Sequence, residues 1–226
     1  MISPGRTART LSPMRADEEH ANRPRVVPLE AGAGPDNPPC PACGEPLFGW
    51  LPAQAGLAGP VRRCESCGLA VVGEVADARA ALEDLDELRW GAGFKIANRA
   101  SFGCSLGGPG WAGLAPGTRH LFTAESVRRL AARRDQVVSS ARWAPPAGLA
   151  LTWQTLLNSV TFGRNVGLGL LGRASAVPAP LAWQRRIDAL ATLVLALPAL
   201  AIALPVELAG APFGRGASLS LRLELL

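Results

Sequence analysis

Cys40-Pro41-Ala42-Cys43-Gly44 and, about twenty residues later, Cys64-Glu65-Ser66-Cys67-Gly68-Leu69 are the stretches whose reading decides how this 226-residue chain folds. A Cys-x-x-Cys pair bends so that both thiolates face one ion, and two such pairs at this separation supply a tetrahedral set of sulfurs. Gly44 and Gly68 each follow the second cysteine of a pair. There a residue without Cβ lets the backbone turn tightly and aim amides at the sulfurs. Four unrelated buried cysteines would need neither the paired spacing nor the paired glycines. The pattern predicts a structural zinc ion held by Cys40, Cys43, Cys64 and Cys67. With cysteine at all four positions no coordination site is left for water, so the metal is expected to hold the fold and do no chemistry.

Around that clip the chain has room for one medium domain and a small one. Hydrophobic residues make up 48%, enough for a core, while charged residues are only 18%. A net charge of +5 and a pI near 9.5 permit contact with nucleic acid or anionic lipid. The basic residues are scattered, without a lysine-rich tract or interleaved aromatics, so a nucleic-acid partner is not expected; only Arg62 and Arg63, beside the second knuckle, favour one. Four cysteines committed to metal leave Cys104 alone, which fits a reducing cytoplasm better than a disulfide framework. The first residues carry no apolar run of the kind that marks a secretory signal.

Residues 1–39, rich in Pro, Arg, Ala and Gly without apolar periodicity, read as a disordered leader. Within them Val26 to Gly34 imitates the strand and glycine loop of a nucleotide site. Pro28 interrupts that strand, Asp36 stands where a third glycine belongs, and Pro35, Pro38 and Pro39 preclude the helix that should follow. Residues 40–73 form the ribbon, with short β-prone runs at Leu47–Leu51, Val61–Arg63 and Leu69–Val72. Residues 74–92 are a linker containing a helix from Asp77 to Leu88, with Ala78, Leu82 and Leu85 on one face.

The second region, 93–226, opens with a strand at Phe94–Ala97 and a glycine-rich loop from Gly103 to Gly117 around Trp111. Thr123 then caps a helix running to about Arg134, with Glu125 complementing its dipole and Phe122 and Val127 as a hydrophobic staple. Gln136–Arg142 is β-prone, Leu149–Phe162 reads as a helix, and Leu219, Leu221, Leu223 and Leu225 alternate with polar residues as a half-buried strand. Ala189 to Val206 has no charge, between Arg185, Arg186 and Asp188 on one side and Glu207 on the other. Its length is at the lower edge of a bilayer span and it contains Pro198 and Pro205. A buried or interfacial helix kinked at Pro198 is the expected form, with membrane association through residues 189–206 left open.

The succession Asn98-Arg99-Ala100-Ser101, Trp111-Ala112-Gly113-Leu114, Arg119-His120-Leu121-Phe122-Thr123 and Trp153-Gln154-Thr155-Leu156-Leu157-Asn158 resembles the C-terminal half of bacterial class I S-adenosylmethionine-dependent methyltransferases. Many of those also begin with a four-cysteine zinc ribbon ending in Cys-Gly-Leu. The likeness covers residues 40–73 and 93–226. It implies a truncated α/β fold, a small β zinc ribbon followed by a partial methyltransferase-like sheet with packed or interfacial apolar helices. Phe94–Ala97, Gln136–Arg142 and Ala217–Leu225 would be its last three strands, one strand plus a reversed pair at the edge.

The resemblance also implies what the chain lacks. The family carries βαβ units between ribbon and final strands, with a glycine loop at a helix N-terminus and an acid for the ribose. Here only Gly73 to Gly93 intervenes, so S-adenosylmethionine is not expected to bind this chain alone. By the same resemblance Arg119 and His120 would lie on the acceptor side of the cleft, His120 as a base on an acceptor hydroxyl. The plainer reading, preferred without a cofactor site, makes His120 a packing residue at the helix start. Trp111 divides likewise between pocket wall and core, with core favoured, and Cys104 is expected to be inert. The expected role is a non-catalytic interaction or structural component with a protein partner or self-association. The rivals are a methyltransferase subunit completed by a partner chain, or a membrane-associated ribbon protein.

Overall fold

The structure, a computed structural model, describes residues 37–54, 56–74, 77–91, 93–172 and 176–225. The nucleotide-site mimic at Val26 to Gly34, and the leader except for its last three residues, lie outside them. In chain order the elements are β1 (Leu47–Leu51), β2 (Val61–Cys64), β3 (Ala70–Val72), α1 (Ala78–Glu87), β4 (Arg89–Trp90), β5 (Gly93–Ala97) and α2 (Phe102–Gly107). They continue with β6 (His120–Leu121), α3 (Ala124–Ala132), β7 (Gln136–Trp143), α4 (Pro145–Asn158), α5 (Val166–Leu170), α6 (Ala182–Gly210) and β8 (Ser218–Leu225). The fold is mixed α/β, with two four-stranded antiparallel-paired sheets, β1-β2-β3-β6 and β4-β5-β8-β7.

The first sheet is the ribbon plus one strand from beyond it. Leu47 lies opposite Cys64, Arg63 opposite Ala70, and Val71 opposite His120. His120 therefore sits in a strand that closes the ribbon's edge. Pro38 and Pro39, assigned to the leader, belong to the ribbon: Leu47 N–H donates to the Pro38 carbonyl at 2.9 Å, and Pro39 bridges Pro46. Strand alternation gives the sheet two apolar faces. Val61, Ala70 and Val72 pack with Trp111, Leu114 and Leu121, while Leu47, Leu69 and Val71 join the core of Phe122, Val127 and Leu130. That second core also contains Leu85 of α1 and Phe94, Ile96, Leu219 and Leu221 of the other sheet.

In the second sheet β8 lies between β5 and β7, antiparallel to both, so β5 and β7 run parallel to one another. Its leucine alternation buries Leu219 and Leu221, and burial fades along the strand until Leu225 is exposed. The α3 start is built as its residues predict. Thr123 Oγ1 accepts from Ser126 N–H at 3.0 Å, Ser126 Oγ accepts from Thr123 N–H at 2.9 Å, and the staple residues Phe122 and Val127 are buried. The helix stops at Ala132, two residues short of the expected end, and Asp135 takes a left-handed φ of 53° before β7.

The expected loop from Gly103 to Gly117 is a correction. Its first part is α2, capped by Ser101 Oγ accepting from Cys104 N–H at 3.0 Å, followed by a single 3-10 turn at Gly108–Gly110. Glycine there serves close packing: a Cβ on Gly107 would lie 2.2 Å from the Thr155 methyl, so α2 reaches α4 only without one. A larger correction concerns the apolar stretch 189–206, which is the middle of the 29-residue α6. Asp188 and Glu207, which looked like boundary charges, are turns of this helix and are buried. The helix continues through Pro198 and Pro205, both on its exposed side.

Candidate metal centre and the Arg119–His120 cluster

The two knuckles bring the Cys40, Cys43, Cys64 and Cys67 sulfurs within 4.8 Å of one another, all buried. Cys40 Sγ lies 3.5 Å from Cys67 Sγ, and Cys43 Sγ 3.4 Å from Cys64 Sγ. A tetrahedron with metal–sulfur bonds of about 2.3 Å has edges of about 3.8 Å, so the cluster is compatible with one metal ion. Each knuckle closes on itself, Gly44 N–H donating to the Cys40 carbonyl at 2.8 Å and Gly68 N–H to the Cys64 carbonyl at 3.0 Å. Gly44 and Gly68 have φ of 81° and 75°, the left-handed turn for which glycine was expected. Backbone amides of Cys43 and Cys67 donate to the sulfurs of Cys40 and Cys64.

Four crowded thiols cannot all ionise without a cation. They divide their protons: hydrogen bonds led by Cys40 pull the Cys43 thiol down to about 7 and Cys64 lower still. The partners in those bonds, Cys40 against Cys43 and Cys67 against Cys40, are pushed up. A dication at the centre would favour the thiolate form of all four.

The body grips the second knuckle. Thr123 Oγ1 donates to the Cys67 carbonyl at 2.6 Å, and the Arg99 guanidinium donates to the Gly68 carbonyl while lying 5.1 Å from the Trp50 ring centre. Burial lowers the Arg99 pKa, the cost of placing a guanidinium against the ribbon. A Cβ at Gly68 would meet the Thr123 methyl at 2.8 Å.

Arg119 and His120 meet a residue that sequence reasoning missed, Asp84 of α1. The carboxylate pairs with the Arg119 guanidinium and lies 2.6 Å from His120 Nδ1. Asp84 was legible only as one acid on the polar side of a short helix; its partners lie 35 and 36 residues away. His120 stacks near Phe122, with ring centres 6.1 Å apart, and its Nε2 is buried without a partner among the described residues. Asp84, Arg119 and His120 line a cavity of about 250 Å³ with Glu87 and Thr118.

No known protein family, curated protein or solved structure matches the chain.

The other residues that carry the resemblance act as internal ties. Asn98 Nδ2 donates to the Gly214 and Gly216 carbonyls at 2.9 and 3.0 Å, fixing the entry to β8. Thr155 Oγ1 accepts from Ala112 N–H at 3.1 Å, and Asn158 Nδ2 donates to the Gly110 carbonyl at 2.8 Å, holding the turn around Trp111. Trp111 is wholly buried, a core residue. Burial pushes the Cys104 thiol up to about 12.

Proposed function

We propose that the ion is zinc and that the protein is a cytoplasmic, zinc-clipped member of the class I methyltransferase lineage that works by binding, without a methyl-donor site of its own. The observation that carries this reading is the closed four-sulfur cluster, buried in the same core as Phe94, Ile96, Leu219 and Leu221. A site with no open position stabilises and does not activate water. Support for the lineage comes from β5, β7 and β8 pairing in one sheet with the last strand between the other two. Between Gly73 and Gly93 the described residues form α1 and the two-residue β4, where a donor site would need βαβ units.

The test is metal analysis of the purified chain followed by calorimetric titration of the zinc-loaded protein with S-adenosylmethionine. One zinc per chain and no heat of binding are expected. Stoichiometric iron would overturn the choice of metal, and micromolar binding of the donor would overturn the non-catalytic reading.

One observation favours a second reading, a subunit completed by a partner chain. Asp84 orients His120 through Nδ1 beside a cavity, the arrangement a general base requires. Co-purification with a chain that binds the methyl donor, and transfer of a labelled methyl group lost on His120→Ala, would establish it.

A further inference from the structure

Helix α6 is built inside out. Its inward stripe, Asp188, Thr192, Ala199, Ala203, Glu207 and Gly210, is polar or small and buried, whereas its outward face at the same helical spacing is Leu190, Leu193, Leu197, Leu204 and Leu208. Leu193 and Leu197 are 77% and 76% exposed. A helix facing water has the opposite polarity. The outward side chains from 189 to 206 include no hydrogen-bonding group, whereas a non-obligate protein–protein interface is about as polar as the rest of a surface. By length and composition the helix could cross a membrane.

Its fastenings decide between crossing and lying flat. Near one end the buried Asp188 carboxylate accepts from the Phe162 and Gly163 amides, both at 2.8 Å. In the middle Trp153 Nε1 donates to the Ala196 carbonyl at 2.8 Å. Near the other end Glu207 accepts from Trp143 Nε1 at 2.8 Å, Thr152 Oγ1 at 2.5 Å and Ala217 N–H at 3.0 Å. A crossing would pull two carboxylates from these donors and drag β8 out of the centre of its sheet.

The ends of the outward face carry the groups that sit at a membrane–water boundary. Trp183, edge-on to Phe162 with ring centres 5.6 Å apart, Arg185 and Arg186 mark one end, and the exposed Phe213 marks the other, while the Arg215 guanidinium is turned onto the Phe102 ring of α2, 5.2 Å away. Arg185 and Arg186 also argue against a parallel second copy of the chain. Two such helices side by side and parallel would bring Arg185 and Arg186 against their own copies, while an anionic headgroup layer complements them. Beside the first turns, a cavity of about 350 Å³ walled by Val166, Leu170, Pro178 and Ala189 widens the apolar surface.

We propose that this face is a lipid-binding surface, with α6 lying along an anionic bilayer leaflet, its leucines below the headgroups and the rest of the protein outside. The proposal rests on the reading of the chain as a binding component and names what it binds.

The test is flotation of the full zinc-loaded chain with phosphatidylcholine vesicles, with and without about 30 mol% phosphatidylglycerol. Binding to the anionic vesicles is expected to be roughly thirtyfold tighter, the factor for two interfacial arginines, and most of that preference should vanish in Arg185→Ala/Arg186→Ala. Leu193→Glu/Leu197→Glu, at positions too exposed to be needed for folding, should stay in the soluble fraction with an unchanged circular dichroism spectrum. A Leu197→Trp variant should be quenched most by lipids brominated near the headgroup. Deepest quenching at the bilayer centre would overturn the flat orientation. Failure of the wild type to float, or a dimer that Leu193→Glu/Leu197→Glu converts to monomer, would overturn the lipid surface, while leaving the zinc and methyl-donor measurements to judge the functional reading.

Discussion

Replacing Glu207 by Gln exchanges one oxygen for an NH₂ group at the junction of α4, α6, β7 and β8 and should be among the most damaging isosteric substitutions in the chain. The carboxylate takes three donors: Trp143 Nε1 at 2.8 Å, Thr152 Oγ1 at 2.5 Å, and Ala217 N–H at 3.1 and 3.0 Å from its two oxygens. Gln offers one oxygen. If that oxygen keeps Thr152 and Ala217, its NH₂ faces the indole N–H, leaving a buried donor unpaired at about 1–3 kcal/mol. The two bonds that remain lose their charge assistance, worth about 1 kcal/mol each. The total, about 3–5 kcal/mol, is a large share of a stability of order 5–15 kcal/mol. Urea unfolding followed by tryptophan fluorescence and far-ultraviolet circular dichroism measures it. Trp143→Phe removes the stranded donor, so the double variant should be about 1–2 kcal/mol more stable than the sum of the two single losses predicts. A Glu207→Gln protein within about 0.5 kcal/mol of wild type, or strict additivity with Trp143→Phe, would refute the reasoning.

Chelation should expose Cys40, Cys43, Cys64 and Cys67 to an alkylating reagent and lower the thermal midpoint, while Cys104 stays unlabelled in the folded chain; metal affinity should weaken on acidification because the thiolates must take up protons. Gly68→Ala and Gly117→Ala place a Cβ at nearly the same φ, 75° and 81°, but only the first meets a neighbour, so Gly68→Ala should cost more than the roughly 1–2 kcal/mol expected of Gly117→Ala and should speed metal loss to a competing chelator. Equal costs would mean that the Thr123 contact does not hold the knuckle. Cys104, pushed from an ordinary 9.0 to about 12 by burial, keeps its proton in the folded chain when the unfolded chain has lost it. Its stabilising contribution is therefore full below pH 9 and declines between pH 9 and about 12. A Cys104→Ala protein should lack that alkaline loss in pH-dependent unfolding.

The features legible in the sequence were those whose cause is local. Cys-x-x-Cys-Gly writes a knuckle in five residues, Phe122, Thr123 and Val127 write a helix start in six, and the alternating leucines of β8 write a strand in eight. What escaped was set by partners far along the chain. Asp84 acquires meaning only when α1 places it against Arg119 and His120. The helix around Cys104 was masked by Gly103 and Gly107, poor helix formers kept because Thr152 and Thr155 leave no space for a Cβ. Asp188 and Glu207 looked like the ends of an apolar helix because charge ordinarily marks the solvent side. In α6 the two acids face inward, and the periodicity that reveals this is visible only when acids, threonine and alanine are counted as one stripe.

Because β6 supplies the outermost rung of the ribbon sheet, residues 40–73 do not form a self-sufficient cassette. A fragment ending at Gly73 would leave β3 with a bare edge, and would strip Thr123 and Arg99 from the second knuckle. Grafted onto another protein, the cysteines alone would make a poorer clip than they do at home. Exchange of this four-cysteine module between proteins would have to carry the stretch around His120 with it.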